Sequence, residues 1–252
     1  MKALVRRPSP RLGEGIVTHV PRQPVDVELA REQWHAYVQA LEGAGWEAVE
    51  APPADDCPDG VFVEDAVVVF GSLAVVTRPG AEARRAETVG IDRAVAELGY
   101  TIARIHDPGT LDGGDVLKVH DTIYVGCGGR TNAEGASQLR ELLAPHGATV
   151  IDVPVQHVLH LKSAVTALPD GSIVGYPPLV PAFFRDFVAM PEESGAHLVL
   201  LCGGKVLLAA DCPRSAELIS ARGYEPMLVD ISEFRKLEGC VTCLSVRLRH
   251  TI

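Results

Sequence analysis

Residues 61–80, VFVEDAVVVFGSLAVVTRPG, run directly into residues 81–99, AEARRAETVGIDRAVAELG, and this stretch decides how the chain folds. Two β-branched runs flank Gly71-Ser72, a Pro-Gly break follows Arg78, and Ala, Glu and Arg then take over. The order reads strand, turn, strand, helix.

The same arrangement recurs along the chain. GGDVLKVHDTIYVGCGGR (113–130) leads into TNAEGASQLRELLAPHG (131–147), where Thr131 or Asn132 is placed to cap the helix start and Gly147 its end. HLKSAVTALPDGSIVGYPP (160–178) leads to residues 182–189, expected to form a third helix. HLVLLCGGKVLLAADCP (197–213) leads into RSAELISARG (214–223). One further short strand follows most helices: WEAVEAPP, TIARIHDP, ATVIDVPV and EPMLVDI. The unit is therefore ββαβ. A fifth copy is split across the termini, with CVTCLSVRLR (240–249) as its first strand, MKALVRRP (1–8) as its second and residues 27–43 as its helix. Pairing of the terminal strands would close the array into a ring, expected to be a single catalytic domain over residues 1–252.

At 252 residues and 47% hydrophobic, the chain can fill one large core. Its net charge of −10 and pI near 5.4 argue against nucleic-acid or anionic-membrane partners, which require a basic face, and suit a small cationic ligand. No run of about 18 apolar residues exists, and the N-terminus lacks the apolar segment and cleavage site of a secretory signal. The chain reads as cytoplasmic, and its six dispersed cysteines as free thiols.

Candidate chemistry falls at equivalent places in the repeat. Glu64, Asp112 and His160 are spaced by 48 residues, and Cys243 opens the corresponding strand of the last unit. In a ring of repeated units, such positions converge on one axis. Cys243 is then a candidate nucleophile, with a buried hydrophobe-like thiol as the plain alternative. His160, between two leucines, is either a satisfied core histidine or the acid–base group such a thiol needs. Glu64-Asp65 and Asp112 are carboxylates whose burial demands a partner, either a structural arginine or a bound cation. Arg84 and Arg130, each after a strand pair, could clamp a carboxylate if they face the axis. Cys240 and Cys243 form a Cys-x-x-Cys, but on a strand residues three apart face opposite ways, and no second such pair completes a zinc site.

VFVEDAVVV, TRPGAEARRAE, TLDGGDVL, GCGGRTNAEGA, LHLKSAVTALPDG and GCVTCLSVRLR together resemble the dimethylarginine dimethylaminohydrolase family, of the guanidino-group-modifying superfamily. The resemblance implies an α/β fold, the five-bladed α/β-propeller (pentein) of ββαβ modules. It also implies hydrolysis of Nω-methylated arginines to citrulline and a methylamine, with no cofactor required. By motif position it puts the nucleophile on Cys243, the acid–base histidine on His160 and the third catalytic carboxylate on Asp112, where some relatives resemble this stretch with Glu. Substrate contacts fall on Asp59, Glu64, Asp65, Arg84 and Arg130, with Ile16 and Leu237 lining the pocket and a lid around residues 15–19. The reading therefore places Glu64 or Asp65, with Asp112, on the guanidinium. Arg84 and Arg130 take the substrate's carboxylate. Zinc at Cys243 would be an inhibitor rather than a cofactor, and exposed propeller edges permit a homodimer. Two rivals stand beside this reading: a deiminase or hydrolase of another guanidino compound, and a thiol- or zinc-responsive module without activity.

Overall fold

Each short Val, Ile and Leu run of the repeat becomes a strand, because β-branched side chains pack well on a pleated, buried surface. The computed structural model describes residues 1–249; His250, Thr251 and Ile252 lie outside the described residues. In chain order the elements are β1 (Lys2–Val5), α1 (Val27–Gly43), β2 (Glu47–Glu50), β3 (Val67–Phe70), β4 (Leu73–Val76), α2 (Ile91–Ala96) and β5 (Thr101–Arg104). There follow β6 (Val116–Val119), β7 (Thr122–Cys127), α3 (Ala133–Leu143), β8 (Thr149–Pro154), β9 (Val165–Ala167), β10 (Ile173–Gly175) and β11 (Val188–Ala189). The last are β12 (Val199–Leu200), β13 (Lys205–Ala209), α4 (Pro213–Ala221), β14 (Glu225–Val229), α5 (Ser232–Arg235) and β15 (Ser245–Leu248).

Among the described residues these strands make five three-stranded sheets of one plan. The first strand is antiparallel to the second, and the third returns parallel to the second, as in β3-β4-β5 and β6-β7-β8. The parallel step needs a crossover, which a helix supplies in four of the five blades. The split unit exists as expected: β15 pairs antiparallel with β1, Lys2 opposite Leu248, and β1 pairs parallel with β2. The chain is thus a five-bladed ring closed by its own termini. No described helix is long and apolar enough to cross a membrane.

Helix α1 starts where Asp26 accepts from the N–H groups of Glu28 and Leu29, and it buries Ala30, Trp34, Tyr37 and Leu41 against the core. Tyr37 O–H donates to Val241 O at 2.9 Å and lies 2.7 Å from Ser245 Oγ, which fastens the helix to the segment carrying Cys243. For α3 the cap is Asn132, whose side chain accepts from Gly135 N, and Gly147 closes the following turn at φ +83°.

The third blade differs from expectation. Residues 182–189 form no helix. Pro181 and Pro191 bracket a short stretch in which Phe183 and Phe184 pack edge-on against Tyr124 and each other. That aromatic contact, with the low helix propensity of Phe and Val, favours an irregular crossover into β11.

Candidate active site

The chemistry-bearing residues sit just before the first strand of each blade, where the chain enters the axis. Glu64 and Asp65 precede β3, Asp112 precedes β6, His160 precedes β9 and Cys243 precedes β15. Asp112 and His160 are fully or almost fully buried. His160 Nε2 lies 3.0 Å from Asp112 Oδ2, and Nδ1 lies 3.8 Å from Asp65 Oδ1. Burial alone would lower the histidine pKa. The charge of Asp65 and the hydrogen bond to Asp112 outweigh it and raise the group to about 9. Burial would likewise raise Asp65, but His160 and Arg84 hold it down at about 2. The ring is therefore an imidazolium at neutral pH.

Gly114 permits this approach. Its N–H donates to Asp65 Oδ1 at 2.8 Å, and a Cβ there would lie 2.5 Å from His160 Nδ1. Asp112 Oδ1 accepts from Gly80 N, and Asp115 Oδ1 accepts from Leu161 N next to the histidine, with Thr131 Oγ1 donating to the other Asp115 oxygen. Burial lifts the Asp115 carboxyl to about 6 against the pull of His160 and Thr131. Asp65, Asp112 and His160 place one potential ligand atom each within 4.8 Å of one another. Their mutual charge pairing accounts for that proximity.

The carboxylates and arginines divide differently from expectation. Glu64 and Asp65 are adjacent, yet only Asp65 lines the pocket that also contains Cys243 and His160. The Glu64 carboxylate is turned away: Oε1 lies 2.6 Å from Lys162 Nζ and 3.2 Å from Arg247 Nη2. Two cations hold Oε1, and of the two adjacent carboxylates it is Asp65 that the structure presents to the pocket. Its backbone N–H still donates to Cys243 O at 3.2 Å. Arg84 lines the pocket but is committed to the wall, donating through Nη1 to Asp65 Oδ2 at 2.8 Å and through Nε and Nη2 to the two Glu87 oxygens at 2.9 and 2.8 Å. Arg130 is freer: Nη1 stands 3.9 Å from Asp112 Oδ2, buried and without a hydrogen-bond partner.

Cys243 is not on a strand. Residues before β15 form a turn in which Cys243 N donates to Cys240 O at 3.1 Å, and this brings the two Sγ atoms to 3.2 Å instead of onto opposite faces. The two thiols titrate as a pair. The first proton leaves below the ordinary thiol range because the remaining S–H donates to the sulfur anion, and the second is held well above it.

Ile16, Asp59 and Leu237 line the same pocket. Ile16 N donates to Asp59 Oδ2 at 3.0 Å. Glu238, which sequence reasoning passed over, accepts from the N–H groups of Thr18, His19 and Val20 and from Thr18 Oγ1. These bonds strap the segment over a pocket of only about 20 Å³, whereas small-molecule sites typically run to about 300–1,000 Å³. A second cavity of about 270 Å³ adjoins through Leu159, Glu238 and Gly239 and contains His157, His197 and Cys240. His197 lines this second cavity together with Cys240. Its signal was positional: it stands two residues before β12, as Cys243 does before β15.

No family model matches the chain. The chain is 66% identical over 250 residues to N(G),N(G)-dimethylarginine dimethylaminohydrolase of Streptomyces coelicolor, covering 98% of this chain and 97% of that protein. It superposes with TM-score 0.92 and 36% identity on a cysteine-to-serine variant of the Pseudomonas aeruginosa enzyme complexed with citrulline, covering 98% of both chains. A TM-score of 0.92 at 35% identity also relates it to a histidine-to-glycine variant of a dimethylarginine dimethylaminohydrolase in adduct with S-methyl-L-thiocitrulline, covering 98% of this chain and 99% of that one. A five-bladed ring with a thiol, an imidazolium and buried carboxylates at one mouth, shared with such relatives over nearly the whole chain, places this protein in the dimethylarginine dimethylaminohydrolase family.

Proposed function

We propose that the chain hydrolyses asymmetric dimethylarginine and monomethylarginine to citrulline and the corresponding methylamine, through a covalent bond to Cys243. The observation that carries the residue roles is the imidazolium of His160, held between Asp65 and Asp112 in the pocket that contains Cys243. In this reading residues 1–252 act as one catalytic domain, cytoplasmic, with a homodimer through an exposed blade edge.

Asp65, which lines the pocket, faces the guanidinium N–H groups, Asp112 behind it holds the His160 ring, and the substrate's cationic charge favours a thiolate beside it. Cys243 Sγ attacks the guanidinium carbon. The tetrahedral adduct expels the methylated amine as His160 gives that nitrogen its proton, leaving an S-linked thiouronium and a neutral ring. The ring takes a proton from water, the resulting hydroxide adds to the same carbon, and the C–S bond breaks. Citrulline leaves, the excess proton ends on the released amine, and the thiolate returns. Arg130, whose Nη1 has no partner, binds the substrate's α-carboxylate, while Arg84 holds Asp65 in position. Zinc at Cys243 would block the thiol and inhibit.

The test is citrulline formation from asymmetric dimethylarginine, monomethylarginine and arginine, for wild type beside Cys243→Ser. Thiol-dependent turnover of the methylated substrates with arginine spared is expected. Equal turnover of arginine would move the chain to the deiminase side of the superfamily.

A further inference from the structure

The mouth of the ring opposite the catalytic pocket has the reverse charge. The five first strands enter the axis at the catalytic pocket, and their far ends, at Val69, Lys118, Ala167, Leu200 and Arg247, together border one cavity of about 610 Å³. Lys118, Arg247 and Arg249 line it, and no Asp or Glu does among the described residues. A smaller chamber of about 30 Å³ shares Val69, Lys118 and Arg247 with it and adds Lys162 and Glu64. Four cations thus meet one carboxylate on the axis of a chain whose net charge is −10.

That carboxylate is already engaged by Lys162 and Arg247. Lys118 Nζ donates only to the backbone, to Val69 O at 2.8 Å. Arg249 Nη2 donates to Leu200 O at 3.0 Å, and its guanidinium lies over the Trp46 ring. Neither has an anionic partner among the described residues. Lys118 is an exposed residue of β6 that faces the open cavity, so a dissolved anion can reach it.

We propose that this cavity binds a small dianionic oxyanion of the phosphate class. The guanidinium of Arg249 and the ammonium of Lys118 supply charge-assisted donors of the kind such oxygens accept, and a dianion relieves the repulsion among the cations that ring it. The arginine at its floor also reaches the nucleophile's segment, since Arg247 Nη1 donates to Thr242 O at 3.2 Å and to Ser245 O.

The test is the melting temperature of the full chain against inorganic phosphate and against chloride at matched ionic strength and pH, for wild type and the Lys118→Gln/Arg249→Gln double variant. A saturable rise in wild type that chloride does not reproduce is expected, with the phosphate midpoint weakened about ten-fold or more in the double variant. Calorimetric titration of phosphate into wild type and Lys118→Gln alone provides a second reading if the double variant folds poorly. Phosphate acting no better than chloride, or an undiminished response in a folded variant, overturns the site.

Discussion

Arg84 Nη1 donates to Asp65 Oδ2 at 2.8 Å with both side chains almost wholly buried, which makes this pair part of the wall that shapes the site. Removing one partner of a buried ion pair typically costs about 3–5 kcal/mol. Arg84→Met should therefore lower stability to denaturant by about that amount, leaving Glu87 and Asp65 without their shared partner. Arg130→Ala, at a side chain without such commitments, should keep the fold and raise KM. Matched urea melts and steady-state kinetics separate the two arginines, and an unchanged melt for Arg84→Met would contradict its structural role.

The His160 ring should give the enzyme an alkaline limit. With its pKa raised to about 9, the proton needed by the leaving amine is present through neutral pH and is lost above about pH 9, so kcat should fall there. Stability carries the same sign. A group whose folded pKa exceeds its unfolded value, about 6.5, contributes fully below that value and loses its contribution as pH rises through about 9. Asp65, depressed to about 2, contributes above about 3.8 and loses this as pH falls toward 2. Melting temperatures of wild type and His160→Gln should converge above pH 9. Curves that stay parallel from pH 6 to about 10 would refute the assignment.

The sulfurs of Cys240 and Cys243, 3.2 Å apart, should close on oxidation. Peroxide converts one thiolate to a sulfenic acid, and attack by the other thiol expels water and forms a disulfide. Wild type treated with dilute peroxide should lose activity together with two titratable thiols and recover both with dithiothreitol. Cys240→Ser should lose protection against further oxidation and recover less. Loss of a single thiol in wild type would show that the pair does not bridge.

Gly114 offers a steric test. A methyl group there meets His160 Nδ1 and Asp65 Oδ1 at 2.5 and 2.8 Å, so Gly114→Ala must displace the ring or the carboxylate. Turnover should fall about 10²-fold or more, in line with misplacement of a catalytic group. Gly129→Ala, where nothing lies within 4 Å, should stay within about 0.5 kcal/mol of wild type and keep its activity. Equal kinetics for the two variants would mean that the ring tolerates displacement.

The repeat was legible because strand and helix periods alternate with breaks at regular intervals, and α1 runs over the very residues, 27–43, that its pattern marked. The same regularity misled at residues 182–189, where expectation of a helix overrode Pro181 and the paired phenylalanines. Spacing brought Glu64, Asp112, His160 and Cys243 to one axis, but it could not tell which of Glu64 and Asp65 enters the pocket. That choice is made by Lys162 and Arg247, distant in sequence. The commitment of Arg84 was partly readable, since Glu87 follows three residues later, the neighbour spacing of a helical turn. The Cys240 contact was hidden by taking residues 240–249 as one strand, when the first of them turn instead.

Closure of the ring by β15 against β1 has a consequence for biosynthesis. Lys2 finds its partner Leu248 only after the four blades between them have been made, so β1 stands with its β15 edge unpaired until then. Cys243, the nucleophile of the proposed mechanism, travels on that last segment, two residues ahead of the closing strand. Ring closure and the arrival of Cys243 at the axis are therefore one event, which comes after the other four blades exist.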